Sequence, residues 1–191
     1  MIIETPFLKE DSVRKAGLSE SEYNRFDRQI NLFKHVLGNF DNALLANSKL
    51  KDAKITIVGL GGCGSYVFYT LSAMGAGHIK SYDFDIVEES NLSRQILYNY
   101  SDLGKKVDVV RDKAPYISPS TQYEFYDEKI DNIEKACRLF ERADLVICAA
   151  DNPRPAFFHF MNEAAFNMGG ALLYAASATV NTVVGWLYYS R

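Results

Sequence analysis

The run Lys54-Ile-Thr-Ile-Val58 leads straight into Gly59-Leu-Gly61-Gly62-Cys-Gly64-Ser, and this junction constrains the fold more than any other stretch of the chain. Ile, Thr, Ile and Val in succession predict a short buried strand. In the turn that follows, the first glycine permits the tight bend, the second lets the backbone approach a phosphate or ribose, and the third permits close helix packing. A helical run from Gly62 to Met74 comes next. Strand, glycine turn and helix together predict a seat for a nucleotide. Ser81-Tyr-Asp83 ends a second strand 24 residues after Gly59, where an acidic side chain meets the ribose hydroxyls.

Elsewhere the same alternation continues. Leu103 to Ile117 reads as a helix stopped by prolines, Gln122 to Tyr126 as a strand, Asp131 to Arg142 as a helix with Ile133, Ala136, Cys137 and Phe140 inward, and Asp144 to Asp151 as a buried strand ending in a carboxylate. A helix from Pro153 to Met168 and strands at Leu172 to Ala176 and Val180 to Tyr189 complete the series. Alternating strands and helices predict an α/β fold, a Rossmann-like, doubly wound and mostly parallel sheet. Ahead of it, Tyr23, Phe26, Ile30, Phe33, Leu37, Phe40 and Leu44 are spaced three and four apart, an N-terminal helical stripe that Gly38-Asn39 divides in two. Residues 1–20 are polar without clear periodicity. The domain reading is an arm over 1–22 and a nucleotide-binding domain over 23–191, cut short at its C-terminal end, because Arg191 directly follows an apolar strand.

With 191 residues and 48% hydrophobic side chains, one domain can bury a sizeable core. Twenty-one basic against 24 acidic residues, a formal charge of −3, leave no basic footprint for nucleic acid. Cys63, Cys137 and Cys148 are scattered and odd in number, which fits a reducing, cytoplasmic compartment. Ala164 to Ser190 carries no charge, but Asn167, Gly169, Gly170, Ser177, Asn181 and Thr182 interrupt it, so it reads as a buried helix and two strands and not as a membrane span.

Glycines and an acidic strand end suit a nicotinamide oxidoreductase, yet that chemistry does not use the cluster that follows. Asn91, Arg94 and Gln95 come soon after Asp83 and Asp85, and Lys106 and Arg111 lie on the next helix. Cations this close to a nucleotide suit a triphosphate, whose oxygens Arg binds through paired hydrogen bonds. Asp151, at the carboxyl end of the fourth strand, stands at the edge where open α/β sheets bind ligands. A carboxylate there can hold Mg²⁺ against phosphates.

Several segments resemble the ubiquitin-activating-enzyme-like adenylyltransferases, the ThiF, MoeB and HesA group. They are Arg25-Phe-Asp-Arg28-Gln-Ile, the glycine turn, Asp83-Phe-Asp85-Ile-Val-Glu-Glu-Ser-Asn91-Leu-Ser-Arg94-Gln95, Gly104-Lys105-Lys106-Val and Ala150-Asp151-Asn152, in family order over most of 23–190. The string from Asp83 to Gln95 is the most specific. The resemblance implies ATP-dependent adenylation of a C-terminal carboxylate on a peptide or small sulfur-carrier protein, giving an acyl adenylate and pyrophosphate. It assigns Gly59, Gly61, Gly62 and Gly64 to the nucleotide and Asp83 to the ribose. Asn91, Arg94 and Gln95 go to the phosphate region, Lys106 to the polyphosphate and Asp151 to Mg²⁺. Arg28 reaches the site of the other subunit of a homodimer. The long segment before Leu50 and Ala149-Ala-Asp-Asn-Pro-Arg154 look like the bacterial branch that modifies peptides in microcin-like synthesis, with a sulfur-carrier activator as the alternative.

Some features depart from the pattern. Arg94 to Lys106 is one residue short, so Lys105 and Lys106 can exchange roles, and Arg154 is bracketed by prolines. Paired cysteines for structural zinc are not seen, and His35, His78 and His159 have no ligand spacing. Asp83 alternatively holds a turn, Asp85 is a second acid beside it, and Cys63 reads as a small apolar side chain. A non-catalytic or incomplete subunit of this fold is the second functional reading.

Overall fold

The computed structural model of the chain describes residues 6–150, 156–178 and 181–188. Two compact units divide it, Met1–Asp52 and Ala53–Arg191.

In the first unit α1 (Pro6–Lys15), α2 (Glu20–Leu37) and α3 (Phe40–Asp52) follow one another. Helix α2 starts where Ser19 Oγ accepts the Glu22 N–H at 3.2 Å and the Glu22 carboxylate accepts the Ser19 N–H at 2.8 Å, a reciprocal capping box. It stops at Gly38, left-handed at φ 83°, whose N–H reaches the Lys34 carbonyl. The expected apolar stripe is therefore broken at Gly38. Phe26 and Ile30 of α2 are buried with Ala43 and Leu44 of α3 and with Val13 and Leu18, and Tyr23, Phe33 and Phe40 pack on them. Leu37 departs from the stripe and is exposed, one residue before the turn. Helix α1 forms where the sequence shows no periodicity.

The second unit holds a six-stranded sheet in the order β3-β2-β1-β4-β5-β6. Its strands are β1 (Lys54–Val58), β2 (His78–Tyr82), β3 (Gln122–Tyr126), β4 (Leu145–Cys148), β5 (Leu172–Ala178) and β6 (Asn181–Tyr188). All neighbours are parallel except β5 and β6, which are antiparallel. Helices α4 (Gly62–Ala73), α5 (Lys106–Ile117), α6 (Ile133–Leu139) and α7 (Ala156–Met168) flank it. On one face Phe68 of α4 lies against Tyr123 and Phe125 of β3, with centroids 5.6 and 5.8 Å away. On the other, Ala136, Leu139 and Phe140 of α6 and Phe157, Met161, Ala164 and Ala165 of α7 cover Val58, Val146, Cys148 and Leu172. Each large buried side chain of this kind contributes about 1.5–3 kcal/mol. The doubly wound, mostly parallel sheet is thus as the sequence predicts.

Two expected helices differ in detail. Helix α5 ends at Ile117 as expected, with Pro115 near its end, where a missing N–H removes one bond only, but it begins at Lys106 and not at Leu103. Helix α6 is shorter than the periodicity suggests, because Asn132 caps it through the Lys135 N–H. Among the described residues no helix is long and apolar enough to cross a membrane.

Strand β1 is central and pairs with both β2 and β4. Successive strands are laid to one side of it and then to the other, so the carboxyl ends of β1 and β4 frame the crevice where such sheets bind ligands. The Ala149 N–H donates to the Val58 carbonyl at 2.8 Å, which keeps the two exits side by side.

Candidate functional site

At the exit of β1 the backbone is crowded. Gly59 is left-handed at φ 94°, and a Cβ there would lie 2.9 Å from the Ala149 carbonyl oxygen; one on Gly64 would lie 1.8 Å from that of Gly59. These two positions accept no side chain. Gly61 is the N-cap of α4 and supplies no capping side chain. The N–H groups of Gly62, Cys63 and Gly64, in the first helical turn, have no intrahelical acceptor. Such a helix start favours an anion through those amides and the helix dipole.

Asp83 is buried at the exit of β2. One carboxylate oxygen accepts the Leu60 N–H at 2.6 Å and the other the Asp85 N–H at 2.8 Å. It therefore braces the glycine turn, the turn-holding alternative of the sequence reading, and keeps lone pairs for a hydroxyl. Burial raises its pKa, against the lowering effects of the Leu60 amide and the nearby Lys106 ammonium.

Lys106 opens α5. Its side chain is 5% exposed, and its ammonium meets the half-exposed Asp85 carboxylate at 2.9 Å. Lys105 points elsewhere, exposed and paired with Asp127. Hydrogen bonds from the Val87 N–H to the Gly104 carbonyl and from the Lys106 N–H to the Asp85 carbonyl, both 2.9 Å, join the strand exit to the helix start. Arg111 is drawn toward β3, paired with Asp108 and 5.7 Å above the Phe125 ring.

Between those joined ends runs the segment with Asn91, Arg94 and Gln95. Asn91 is buried, its amide oxygen accepting the Glu88 N–H at 3.2 Å. Arg94 is exposed and donates to the Ser90 carbonyl at 2.6 Å. Gln95 is buried beside Gly61, and its Oε1 has no hydrogen-bond partner. A buried acceptor left without a donor costs about 1–3 kcal/mol unless a ligand supplies one. Unbonded amides and a buried ammonium suit the anionic part of a nucleotide, and this acceptor suits a donor on a ligand.

Sequence reasoning missed two residues. Tyr98 is buried, and its hydroxyl donates to the Leu60 carbonyl at 3.0 Å. Lys113 donates to the Leu97 carbonyl at 2.8 Å and pairs with Asp102, tying this segment to α5. The one local signal is a lone hydroxyl in the apolar run Ile96-Leu97-Tyr98. Asp83, Asp85, Lys106 and the glycine turn are thus brought together, with Asn91 and Gln95 buried on the adjoining segment. Arg94 stays at the exposed surface. Arg28 lies on α2 in the helical unit, its side chain 97% exposed and 3.9 Å from Asp27. Asp151, Asn152 and Arg154 lie outside the described residues. Among those described, no group of three or more His, Cys, Asp or Glu could hold a metal ion.

The fold and this site define a nucleotide-binding α/β protein with a buried lysine beside the carboxylates of Asp83 and Asp85. The chain belongs to the ThiF family, whose model matches residues 26–189. It is 36% identical over 143 residues to the probable molybdopterin-synthase adenylyltransferase of Gracilaria tenuistipitata var. liui, covering 74% of this chain and 38% of that protein. With the molybdopterin-synthase adenylyltransferase of Escherichia coli K12 it shares 36% identity over 138 residues, 72% of this chain and 52% of that protein. The crystal structure of E. coli MccB with AMPCPP and MccA superposes with a TM-score of 0.82 at 28% identity, over 96% of this chain and 53% of that one. The chain thus spans about a third to a half of the length of these curated relatives.

Proposed function

We propose that this chain, through residues 23–191, adenylates the C-terminal carboxylate of a peptide or small sulfur-carrier protein with ATP. The carboxylate, ionised at pH 7, attacks the α-phosphorus. The bond from that phosphorus to the bridging oxygen breaks, pyrophosphate leaves, and an acyl adenylate remains for an amine, thiol or sulfur donor. No general base is needed, so catalysis rests on positioning and charge stabilisation. Asp83 holds the ribose, Asn91 and Gln95 line the phosphate path, Arg94 closes on the phosphates from the rim, and Lys106 neutralises the leaving pyrophosphate. Asp151 is the Mg²⁺ ligand in this reading; Mg²⁺, when bound, offsets polyphosphate charge. Arg28 completes the site of a second copy in a cytoplasmic homodimer.

The observation that carries the reading is the buried Lys106 ammonium, 2.9 Å from Asp85 beside the glycine turn. Hydride transfer to a nicotinamide has no use for it, whereas a triphosphate does. The adenylyltransferase names of the relatives and the MccB structures with nucleotide and MccA support the same class. The test is ATP–pyrophosphate exchange with a panel of peptides and sulfur-carrier proteins. Wild type exchanges with at least one, and Arg94→Ala lowers the rate by about 10²–10³. ATP binding without exchange points to a non-catalytic subunit, and NADH binding without ATP binding to an oxidoreductase. Equal exchange by Arg94→Ala discards that residue's role.

A further inference from the structure

The hydroxyl of Tyr98 is unexplained by the roles above. It donates to the Leu60 carbonyl at 3.0 Å across 38 residues of sequence, while the N–H of the same Leu60 is held by Asp83 at 2.6 Å. Both polar groups of the residue between Gly59 and Gly61 are therefore pinned, one from the loop after Gln95 and one from β2. A peptide unit is planar and trans, so the N–H of Gly61 points opposite to the carbonyl of Leu60. Tyr98 is buried and draws that carbonyl inward. The Gly61 N–H is therefore held pointing away from Tyr98, at the start of α4.

Resting on the adenylation reading, we propose that Tyr98 is a positioning residue that fixes the Leu60–Gly61 peptide so that the Gly61 N–H meets an ATP phosphate. Burial, and after it the charges of Asp83, Asp85 and Asp102, raise the pKa of Tyr98, so it remains a neutral donor throughout the working range. Lys113 holds the adjacent Leu97 carbonyl at 2.8 Å, which anchors the Tyr98 backbone on α5, the helix that begins with Lys106. The phosphate-facing amide and the phosphate-facing lysine are thereby referred to one helix.

Tyr98→Phe removes the hydroxyl alone and leaves the buried Leu60 carbonyl without a donor. The expected result is ATP affinity weaker by about fivefold to tenfold, with adenosine affinity changed less than about twofold, both by calorimetry on the whole chain. Equal losses for ATP and adenosine, or no loss for either, overturn the proposal. Wild type that binds adenosine and not ATP overturns the adenylation reading itself, a separate result. If Tyr98→Phe does not fold, an amide titration of wild type decides: the Gly61 proton shifts downfield with ATP and not with adenosine, and an unmoved Gly61 resonance sinks the assignment.

Discussion

The helix starts of the first unit and the strand exits of the second are held by contacts of different range. In the first, Ser19 and Glu22 cap each other, Asn31 meets Asp27, and the Asn39 side chain accepts the Asn42 N–H. The starts of α2 and α3 are settled within a few residues, although Lys51 also reaches back to the Gly17 carbonyl. In the second, the Lys54 N–H is held by Asp144, Leu60 by Asp83 and Tyr98, and Val58 by Ala149, each partner brought from a distant part of the chain. Local ties make an element form. Distant ties place one element against another, and the candidate site consists of such placements.

The sharpest break in that comparison comes from two glycines. A Cβ on Gly64 falls 1.8 Å from the Gly59 carbonyl oxygen, backbone against backbone, while Gly38 has nothing within 4 Å and only its φ of 83° to forbid a side chain. Gly64→Ala is expected to destabilise the sheet unit by more than about 3 kcal/mol and to abolish ATP binding. Gly38→Ala costs roughly 1–2 kcal/mol, the left-handed penalty alone, and leaves ATP binding intact. Denaturant-dependent hydrogen exchange, resolved by unit, separates the two. Equal effects would mean that crowding at the turn relaxes freely. Ser19→Ala, which opens the capping box, is expected to cost about 1 kcal/mol, seen as faster exchange at the start of α2.

The smallest effect concerns acid. For Glu22, burial raises the pKa, but hydrogen bonds from Lys51 and Ser19 outweigh it, leaving a net lowering from 4.5. Its contribution is present above that value and is lost as pH falls through the lowered one. Asp83 is raised, so its contribution is present at low pH and lost as pH rises through its folded-state value. Acidification from pH 5.5 to about 3.5 should therefore loosen the start of α2, as read by exchange protection corrected for intrinsic rates, and Glu22→Gln should remove that response. An equal acid response in Glu22→Gln would contradict the assignment.

The same difference in range explains how much was legible in the sequence. Gln122–Tyr126 and Lys54–Val58 form as strands where β-branched and aromatic runs predict them. The capped and glycine-stopped α2 is likewise written in its own residues. Helix α1 was not legible, because Val13 and Leu18 are buried in a cluster with residues of α2 and α3 and form no stripe of their own. The start of α5 at Lys106 and not at Leu103 is also tertiary, since the Lys106 N–H is held by the Asp85 carbonyl. In the site, the glycine turn, Asp83 and Lys106 follow from spacing and resemblance. Tyr98 does not, because its partner lies 38 residues away and no local pattern encodes that contact.

The junction of Ile86 with Lys105 is a short antiparallel bridge, flanked by the Val87–Gly104 and Lys106–Asp85 backbone bonds. It works as a clasp at the neck of the intervening loop. Counting residues from Arg94 to Lys106 then says little about where Lys106 stands, because any slack is taken up inside the clasp and not passed on to α5. Loop closure depends only weakly on length, each doubling costing about 0.6 kcal/mol. A lineage can therefore gain or lose residues there, varying what the rim presents, while the lysine and the two aspartates stay in register.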